Sequence, residues 1–458
     1  IISIILIVFS ILAYLSIPAL YKYDSLQKQL SEKILKDFNI YASLSNEINY
    51  NVFPQPNFTI KDNLINFNKN NEFGEAKKIK VFISLKNLFS QKKIIIKKLK
   101  IYDSNFIINI KNYEEFKKYL KIKNKKKITI INSKIFFKDS ANDETLSIAT
   151  IKNASIIFDE KKKFKKFNSK GLIFNTKYNL NFNQDLENFN IQNTKINFKD
   201  LKFKIENMLS EKFNDENFSG QSEISIFRQK IRLKYEQNKD DFIFKTEKNN
   251  NLKLSGTITK SPFYFDIQIF LNNSNIKNIQ ILLSKLGNYL NNNYLLNKNF
   301  NGKLLLNIKD IHGSKYFNST KILISFSNGK ISLDESKIYI KKIGYLELKN
   351  FIITKKKNTK VYIESKNLFK INNLKEFNRA IQLPKNKKIN IESIYFELNK
   401  NLEDESFLLK KIIFNNIHNK SELNKLDLTK NLYNENINNI KNWFQLRSFL
   451  RELFVNIK

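Results

Sequence analysis

The sequence has no cysteine among its 458 residues, which excludes disulfides, thiol nucleophiles and thiolate-bound zinc but points to no particular compartment. It has only 9 glycines and 5 prolines. With so little glycine there is no P-loop, G-x-G-x-x-G or G-x-S-x-G, and backbone cradles for phosphate are not expected. His312 and His418 are the only histidines; they stand far apart and outside any metal-ligand spacing such as H-E-x-x-H, so they read as surface or turn residues. The acidic run Glu403-Asp404-Glu405 reads as a solvated loop. No constellation for bond chemistry emerges, and the expectation is a protein that is not an enzyme and has no cofactor or metal.

Arginine is also scarce. The formal net charge is +37, yet of 80 basic residues the only arginines are Arg228, Arg232, Arg379, Arg447 and Arg451. Surfaces that read phosphates and bases lean on the bidentate guanidinium fork. Lysine is spread along the whole chain rather than gathered in one patch, among abundant Asn, Ile and Phe. These are residues of A/T-rich codons, so genome bias accounts for most of the charge. A solvated, lysine-bearing face is expected rather than a nucleic-acid site, and lysine on strand edges opposes edge-to-edge aggregation. A basic surface for polyanions is the weakest functional reading.

What is present begins with an uncharged run, Ile1 to Leu20. About twenty apolar residues at 1.5 Å each span a hydrocarbon core of roughly 30 Å. The run is expected to be a membrane anchor carried by Ile4, Ile5, Leu6, Ile7, Val8, Phe9, Ile11, Leu12 and Leu15. A cleaved signal peptide is the alternative, but a small-x-small cleavage site is poor with Ile17 two residues before Ala19. The chain begins without Met, so a basic flank that would orient the anchor is not visible; Lys22, Lys28, Lys33 and Lys36 follow the span. Leu26, Leu30, Ile34 and Phe38, joined by Leu35, predict a helix over Ser25 to Phe38.

From Val52-Phe53-Pro54-Gln55-Pro56 to about residue 415 the period is mostly two. Leu201, Phe203 and Ile205, then Leu252 and Leu254, then Phe263, Phe265, Ile267, Ile269 and Leu271 place apolar groups on one face. Ile94 to Ile96 is apolar on both faces. A weak repeat relates Asn132–Asp139 to Asn193–Asp200, with a shorter relative at Asn153–Asp159 and similar units at Leu99–Ile110 and Leu346–Ile353. The pattern predicts antiparallel strands with turns set by Asn, Ser or Asp. A one-faced sheet must cover its apolar side by curling, by helices or by a ligand. A helix is expected within Ile276 to Leu296. Another is expected over Ile437 to Ile457, with the stripe Ile440, Trp443, Leu446, Leu450, Leu453, Phe454 and Ile457. The second helix either closes the end of the sheet, the favoured reading, or lies in a membrane interface.

The N-terminal third resembles the AsmA family of bacterial envelope proteins. The resemblance lies in the order anchor, helix, the P-x-P strand Val52 to Ile60, and the strand–turn–strand stretch Glu75 to Ile101. A fainter echo links Asn301–Asn307 and Ile324–Leu333 to strands of the family's C-terminal part. The chain departs from the family in Asn46, where Gly is common, and in its general poverty in Gly. The resemblance implies an inner-membrane, single-pass protein of a Gram-negative bacterium, with its bulk in the periplasm. It further implies a curved, groove-like sheet whose apolar face conducts phospholipid toward the outer membrane. The expected fold is therefore mainly β: a transmembrane helix, an elongated, curved, antiparallel repeat sheet, a few short helices and a C-terminal amphipathic helix. The expected division is 1–21 anchor, 22–270 N-terminal β-repeat region, 271–435 C-terminal β region and 436–458 amphipathic helix. The candidate groove residues are Phe198, Leu201, Phe203, Ile205, Leu252, Leu254, Phe263, Phe265, Ile267 and Ile269. The expected partners are phospholipid or another membrane lipid, the inner membrane and an outer-membrane protein, with no nucleic acid. The alternative function is an anchored scaffold that assists outer-membrane protein assembly.

Overall fold

The computed structural model describes residues 2–66, 72–109, 119, 126–138, 145–159, 163–185, 187, 192–212, 217–226, 229–247, 251–291, 295–355, 360–384, 391–402, 407–416 and 443–456. His418, residues 403–405, Ile440 and Ile457 lie outside them. The chain is mainly β, with mostly antiparallel strands and a few helices. It forms two compact units, 1–240 with 260–262, and 241–259 with 263–458.

The first unit opens with helix α1 (Ile2–Ser16), a 3-10 turn (Ile17–Leu20) and helix α2 (Tyr23–Phe38). The sequence pattern expects one continuous helix through Leu20, but α1 stops at Ser16. Pro18 has no N–H to continue the ladder and sits instead at the start of the 3-10 turn. The 15 residues Ile2–Ser16 rise about 22 Å. Among the described residues no single helix is long and apolar enough to cross a membrane, though Ile5–Leu20 and Tyr23–Phe38 pass together as a pair bent by 91°. The helix predicted over Ser25 to Phe38 is present, and Leu26, Leu30, Ile34 and Phe38 are all buried. Asn39, in the left-handed region at φ 55°, caps its end and donates its N–H to the Leu35 carbonyl at 2.8 Å.

The strands of this unit are β1 (Tyr41–Ser43), β2 (Ile48–Asn51), β3 (Asn57–Asn66), β4 (Glu72–Ile83), β5 (Ile96–Ile108), β6 (Lys127–Lys138) and β7 (Thr145–Asp159). They continue with β8 (Phe164–Ile173), β9 (Thr176–Asp185), β10 (Gln192–Phe198), β11 (Phe203–Lys212), β12 (Phe218–Ile226) and β13 (Gln229–Gln237). From β3 onward each strand pairs with the next. All of these pairs are antiparallel except β5–β6, which is parallel. A parallel neighbour needs a crossover connection, so the predicted succession of antiparallel strands is interrupted here.

The Asx positions expected to set turns do something else. Asp62, Asp103 and Asn132 have φ of 47°, 52° and 50°, yet each lies inside a continuous strand. On five neighbouring strands, β3 to β7, two successive residues point outward between inward ones: Lys61-Asp62, Lys77-Lys78, Tyr102-Asp103, Ile131-Asn132 and Lys152-Asn153. The slip is shared by the partners, so β3–β4, β4–β5 and β6–β7 resume the same register beyond it. It ends against β8 with a register shift between Ile151 and Asn153. Small or polar groups fill the inner side of this seam, where the Ser104 N–H donates to Ser133 Oγ at 3.1 Å and Asn63 Nδ2 donates to the Ile60 carbonyl at 3.0 Å. A single left-handed residue changes the phase of a strand without reversing it, and Asn and Asp tolerate that conformation. The sequence repeat is structural only in part: Asp103, Asn132 and Asn153 share the seam, whereas Asn193, the counterpart of Asn132, pairs regularly with Asn183 and Met208.

The second unit contains β14 (Asp241–Thr246), β15 (Leu252–Lys260), β16 (Phe263–Asn275), the helix Ile276–Asn291 and β17 (Asn301–His312). Next come β18 (Phe317–Ser327), β19 (Lys330–Ser332), β20 (Ser336–Ile340), β21 (Gly344–Lys355) and β22 (Val361–Ile371). The helix Leu374–Ile381, β23 (Ile391–Asn401), β24 (Phe407–Asn416) and the helix Trp443–Asn456 complete it. The helix Ile276–Asn291 joins β16 to β17, a second parallel pair. Asn350, at φ 47°, sits at a register shift within β21, where the sequence pattern expects a turn.

Candidate functional site

Cross-strand partners build one inward row through the first unit. Ile60, Ile79, Ile101, Ile130, Ala154, Ser169, Leu180, Ile196, Ile205, Ile224 and Ile231 pair in succession from β3 to β13. A parallel row runs Phe58, Val81, Leu99, Ile128, Ile156, Phe167 and Phe182. At about 4.8 Å between strands, a row across eleven strands measures roughly 48 Å along the hydrogen-bonding direction. The opposite face of the same strands carries Lys, Asn and Glu. There Lys195 and Lys204 meet Glu206 at 2.9 and 2.6 Å, and their hydrogen bonds hold its carboxyl down at about 2.

The cover of the apolar rows is uneven. Over β3 to β6, α2 and its surroundings leave Phe58, Val81, Ile60, Ile79, Leu99 and Ile101 at 2% exposure or less. Over β8 to β11 the cover thins, and Phe167, Leu180, Phe182, Ile196, Phe198, Phe203 and Ile205 are only half-buried. The predicted residues Phe198 and Phe203 meet here, with ring centroids 5.8 Å apart. Leu201 sits beside them, half-buried in the 3-10 turn Lys199–Leu201. At β12 and β13, Ile224, Ile231, Leu233 and Tyr235 are buried again.

One cation lies within this face. Lys165, 1% exposed, stands opposite Gln184, also 1% exposed. Its ammonium donates to the Tyr119 carbonyl at 3.1 Å and lies 5.1 Å from the Tyr119 ring centroid. Burial pushes its pKa down to about 8. The Oε1 of Gln184 is buried without a hydrogen-bond partner. Ser169 and Tyr178 pair their hydroxyls at 2.9 Å on the same face, and burial raises the Tyr178 pKa. A lysine between Phe164 and Phe167 follows the alternation, but nothing in a lysine-rich sequence separates it from its solvated neighbours.

The remaining candidate groove residues belong to the second unit, where Leu252 and Phe265 are buried and Leu254, Phe263, Ile267 and Ile269 are half-buried. Phe263, Phe265 and Ile267 of β16 pack with Phe300, Phe326 and Leu290. Phe265 lies 5.1 Å from Phe300 and 5.4 Å from Phe326, and Phe263 lies 5.7 Å from Phe300. Ile269 pairs with Leu306; Leu252 is buried and Leu254 half-buried on β15. At the other end of this unit, Phe377 and Ile381 cover β22 to β24 together with Phe449 and Leu450 of the C-terminal helix. Leu450 belongs to the predicted stripe; Phe449, one position earlier, does not and was missed. Trp443, Leu446, Leu453 and Phe454 lie on the helix, but their side chains are outside the described set.

Of the anchor residues, Ile5, Leu6, Ile7, Phe9, Ile11 and Leu12 are exposed on α1, whereas Leu15, with Tyr14, packs against the core of the first unit. Ile4 and Val8 lie on α1 with side chains outside the described set. His312 is exposed, 3.4 Å from Asp310. Among the described residues no group of three or more His, Cys, Asp or Glu is placed to hold a metal ion.

No family model matches the chain. A curated relative, Protein Ycf2 of Physcomitrium patens, is 31% identical to it over 314 residues, which is 65% of this chain and 12% of that protein. The chain thus spans about an eighth of the length of the curated relative it matches.

Proposed function

We propose that this protein is a membrane-anchored, periplasmic protein of the bacterial envelope that conducts phospholipid along an apolar sheet face and so supports outer-membrane lipid homeostasis. The observation that carries the proposal is the half-buried apolar strip on β8 to β11, centred on Leu180, Ile196 and Ile205. It continues the rows that α2 covers, and acyl chains would complete its burial as protein side chains do elsewhere on the sheet. The exposed apolar surface of α1 and the resemblance of the N-terminal third to the AsmA family support the membrane and the compartment. Movement along such a face breaks no bond, so the protein acts without catalysis.

Photo-crosslinking in cells tests this reading. A photoreactive residue at Leu180, Ile196 or Ile205 is expected to capture phospholipid, and one at Phe265, inside the aromatic cluster, is not. Absence of lipid adducts at all four positions overturns conduction. A second reading, an anchored scaffold for outer-membrane protein assembly, is favoured by the aromatic cluster that closes the face around Phe265 in the second unit. Protein adducts on the polar faces, with no lipid adduct inside, would select it.

A further inference from the structure

The exit of α1 is met by a turn that is firmly held yet displays apolar side chains. This turn joins β4 to β5 through residues 84–95. Leu88 points inward and is fully buried, while Leu85 and Phe89 are 49% and 77% exposed. The turn is tied to α1 and its 3-10 extension. Tyr14 donates its hydroxyl to the Leu85 carbonyl at 2.7 Å, its ring lies 5.0 Å from Phe89, and the Tyr21 hydroxyl donates to the Leu88 carbonyl. It is also tied to α2, where Lys33 Nζ donates to the Lys92 and Ile94 carbonyls at 3.1 and 2.6 Å and Gln91 Nε2 donates to Ser25 Oγ at 3.0 Å. A turn fixed from both sides holds Phe89 in water by construction. Lys86, Lys92 and Lys93 stand exposed on the same turn. Leu20, 84% exposed, ends the 3-10 extension of α1, and Phe53, 74% exposed, follows Tyr50, whose hydroxyl donates to the Leu15 carbonyl at 2.6 Å.

We propose that this turn, with Leu20 and Phe53, is a membrane-interface platform that seats the first unit on an anionic bilayer around the exit of α1. Leu85 and Phe89 enter the boundary between headgroups and acyl chains, and Lys86, Lys92 and Lys93 meet lipid phosphates. The proposal rests on reading α1 as a membrane element and goes beyond it by naming a second contact. Exposed apolar side chains of this kind seat about 5–10 Å into the boundary between headgroups and acyl chains. Lysine flanking exposed Phe and Leu is the composition of interfacial binding, since each basic residue near an anionic surface adds attraction that salt weakens.

The test uses the full chain with vesicles of phosphatidylcholine and phosphatidylglycerol carrying brominated acyl chains. Trp443, the sole tryptophan, is first replaced by Phe, and Phe9→Trp, Phe89→Trp or Tyr264→Trp is then introduced singly. Quenching of the Phe9→Trp and Phe89→Trp variants but not of Tyr264→Trp is expected. Quenching of Phe9→Trp alone overturns the platform while leaving the anchor in place. Quenching of neither overturns both, and equal quenching of all three overturns the platform by showing contact without orientation. As a second measurement, the combined Lys86→Gln, Lys92→Gln and Lys93→Gln variant is expected to bind phosphatidylglycerol-containing vesicles on the order of tenfold more weakly. No such loss is expected with phosphatidylcholine alone; equal loss on both overturns the electrostatic part.

Discussion

In the first unit one helix, α2, places Leu26, Leu30, Ile34 and Phe38 over β3 to β6, and the same apolar rows continue beyond its reach to β8–β11. In the second unit the inward face meets side chains at both ends. The cluster Phe263, Phe265, Phe300 and Phe326 lies over β16–β18, and Phe377, Ile381, Phe449 and Leu450 lie over β22–β24. Strand patterns that look alike in sequence therefore serve two purposes. Alternation states that a face is apolar; only the elements docked on it decide whether it is core or open surface.

The contrast can be broken most directly by truncating one aromatic on each side of it. Phe265→Ala removes a packed ring and is expected to cost about 3–5 kcal/mol. Phe198→Ala, on the half-buried strip, is expected to cost only about 1–2 kcal/mol, because less burial is lost. Denaturant unfolding of the two variants measures the difference; equal losses would mean the strip is as closed as the aromatic cluster.

The next effect concerns the cation inside the open unit. Its pKa is lowered to about 8 in the folded protein, so between about pH 8 and the ordinary lysine value near 10.5 the unfolded chain binds more protons, and stability rises with pH. The difference across that window is about 3 kcal/mol. Lys165→Met is expected to abolish this slope and to be more stable than the parent at pH 7. Urea titrations of both proteins at pH 7 and pH 10 check it, and an unchanged slope would remove Lys165 from the account.

The seam gives a smaller effect. Asn132→Val places a β-branched residue at φ 50° and is expected to destabilise by about 1–2 kcal/mol, while Asn132→Gly stays near neutral. Thermal unfolding of the pair separates a left-handed requirement from a side-chain one. The smallest effect belongs to the wet face. Glu206, held at about 2 by Lys195 and Lys204, contributes stability that is complete above the ordinary carboxylate value and is lost as pH falls toward 2. Being only partly shielded, it is worth less than about 1 kcal/mol. Glu206→Gln should lose up to that amount at neutral pH and nothing near pH 2, and so flatten the acid limb of a curve of stability against pH.

Much of the architecture is readable from local pattern. The four-residue recurrence from Leu26 to Phe38 places α2, and alternation such as Leu201-x-Phe203-x-Ile205 places an inward face. Pro18 carried a legible signal that α1 ends early, since a proline inside an apolar run removes a donor whatever surrounds it. Asp62, Asp103 and Asn132 carried a legible preference for left-handed backbone, but whether such a residue reverses the chain or shifts its phase depends on the neighbouring strand. There the neighbours share the slip, and the strands run on.

Composition and periodicity thus settle what is local: where strands and helices form, which residues alternate inward, and that Cys-dependent chemistry is excluded. They follow from the bonds and torsions of single residues and their near neighbours. Tertiary structure decides what depends on residues far apart in the chain. It closes the face at Phe265 with Phe300 and Phe326, leaves it half-covered at Ile196 and Ile205, buries Lys165 against Tyr119, and holds Phe89 out in solvent beside Tyr14. Burial is a property of what arrives on a surface, and no period within a strand records what will arrive.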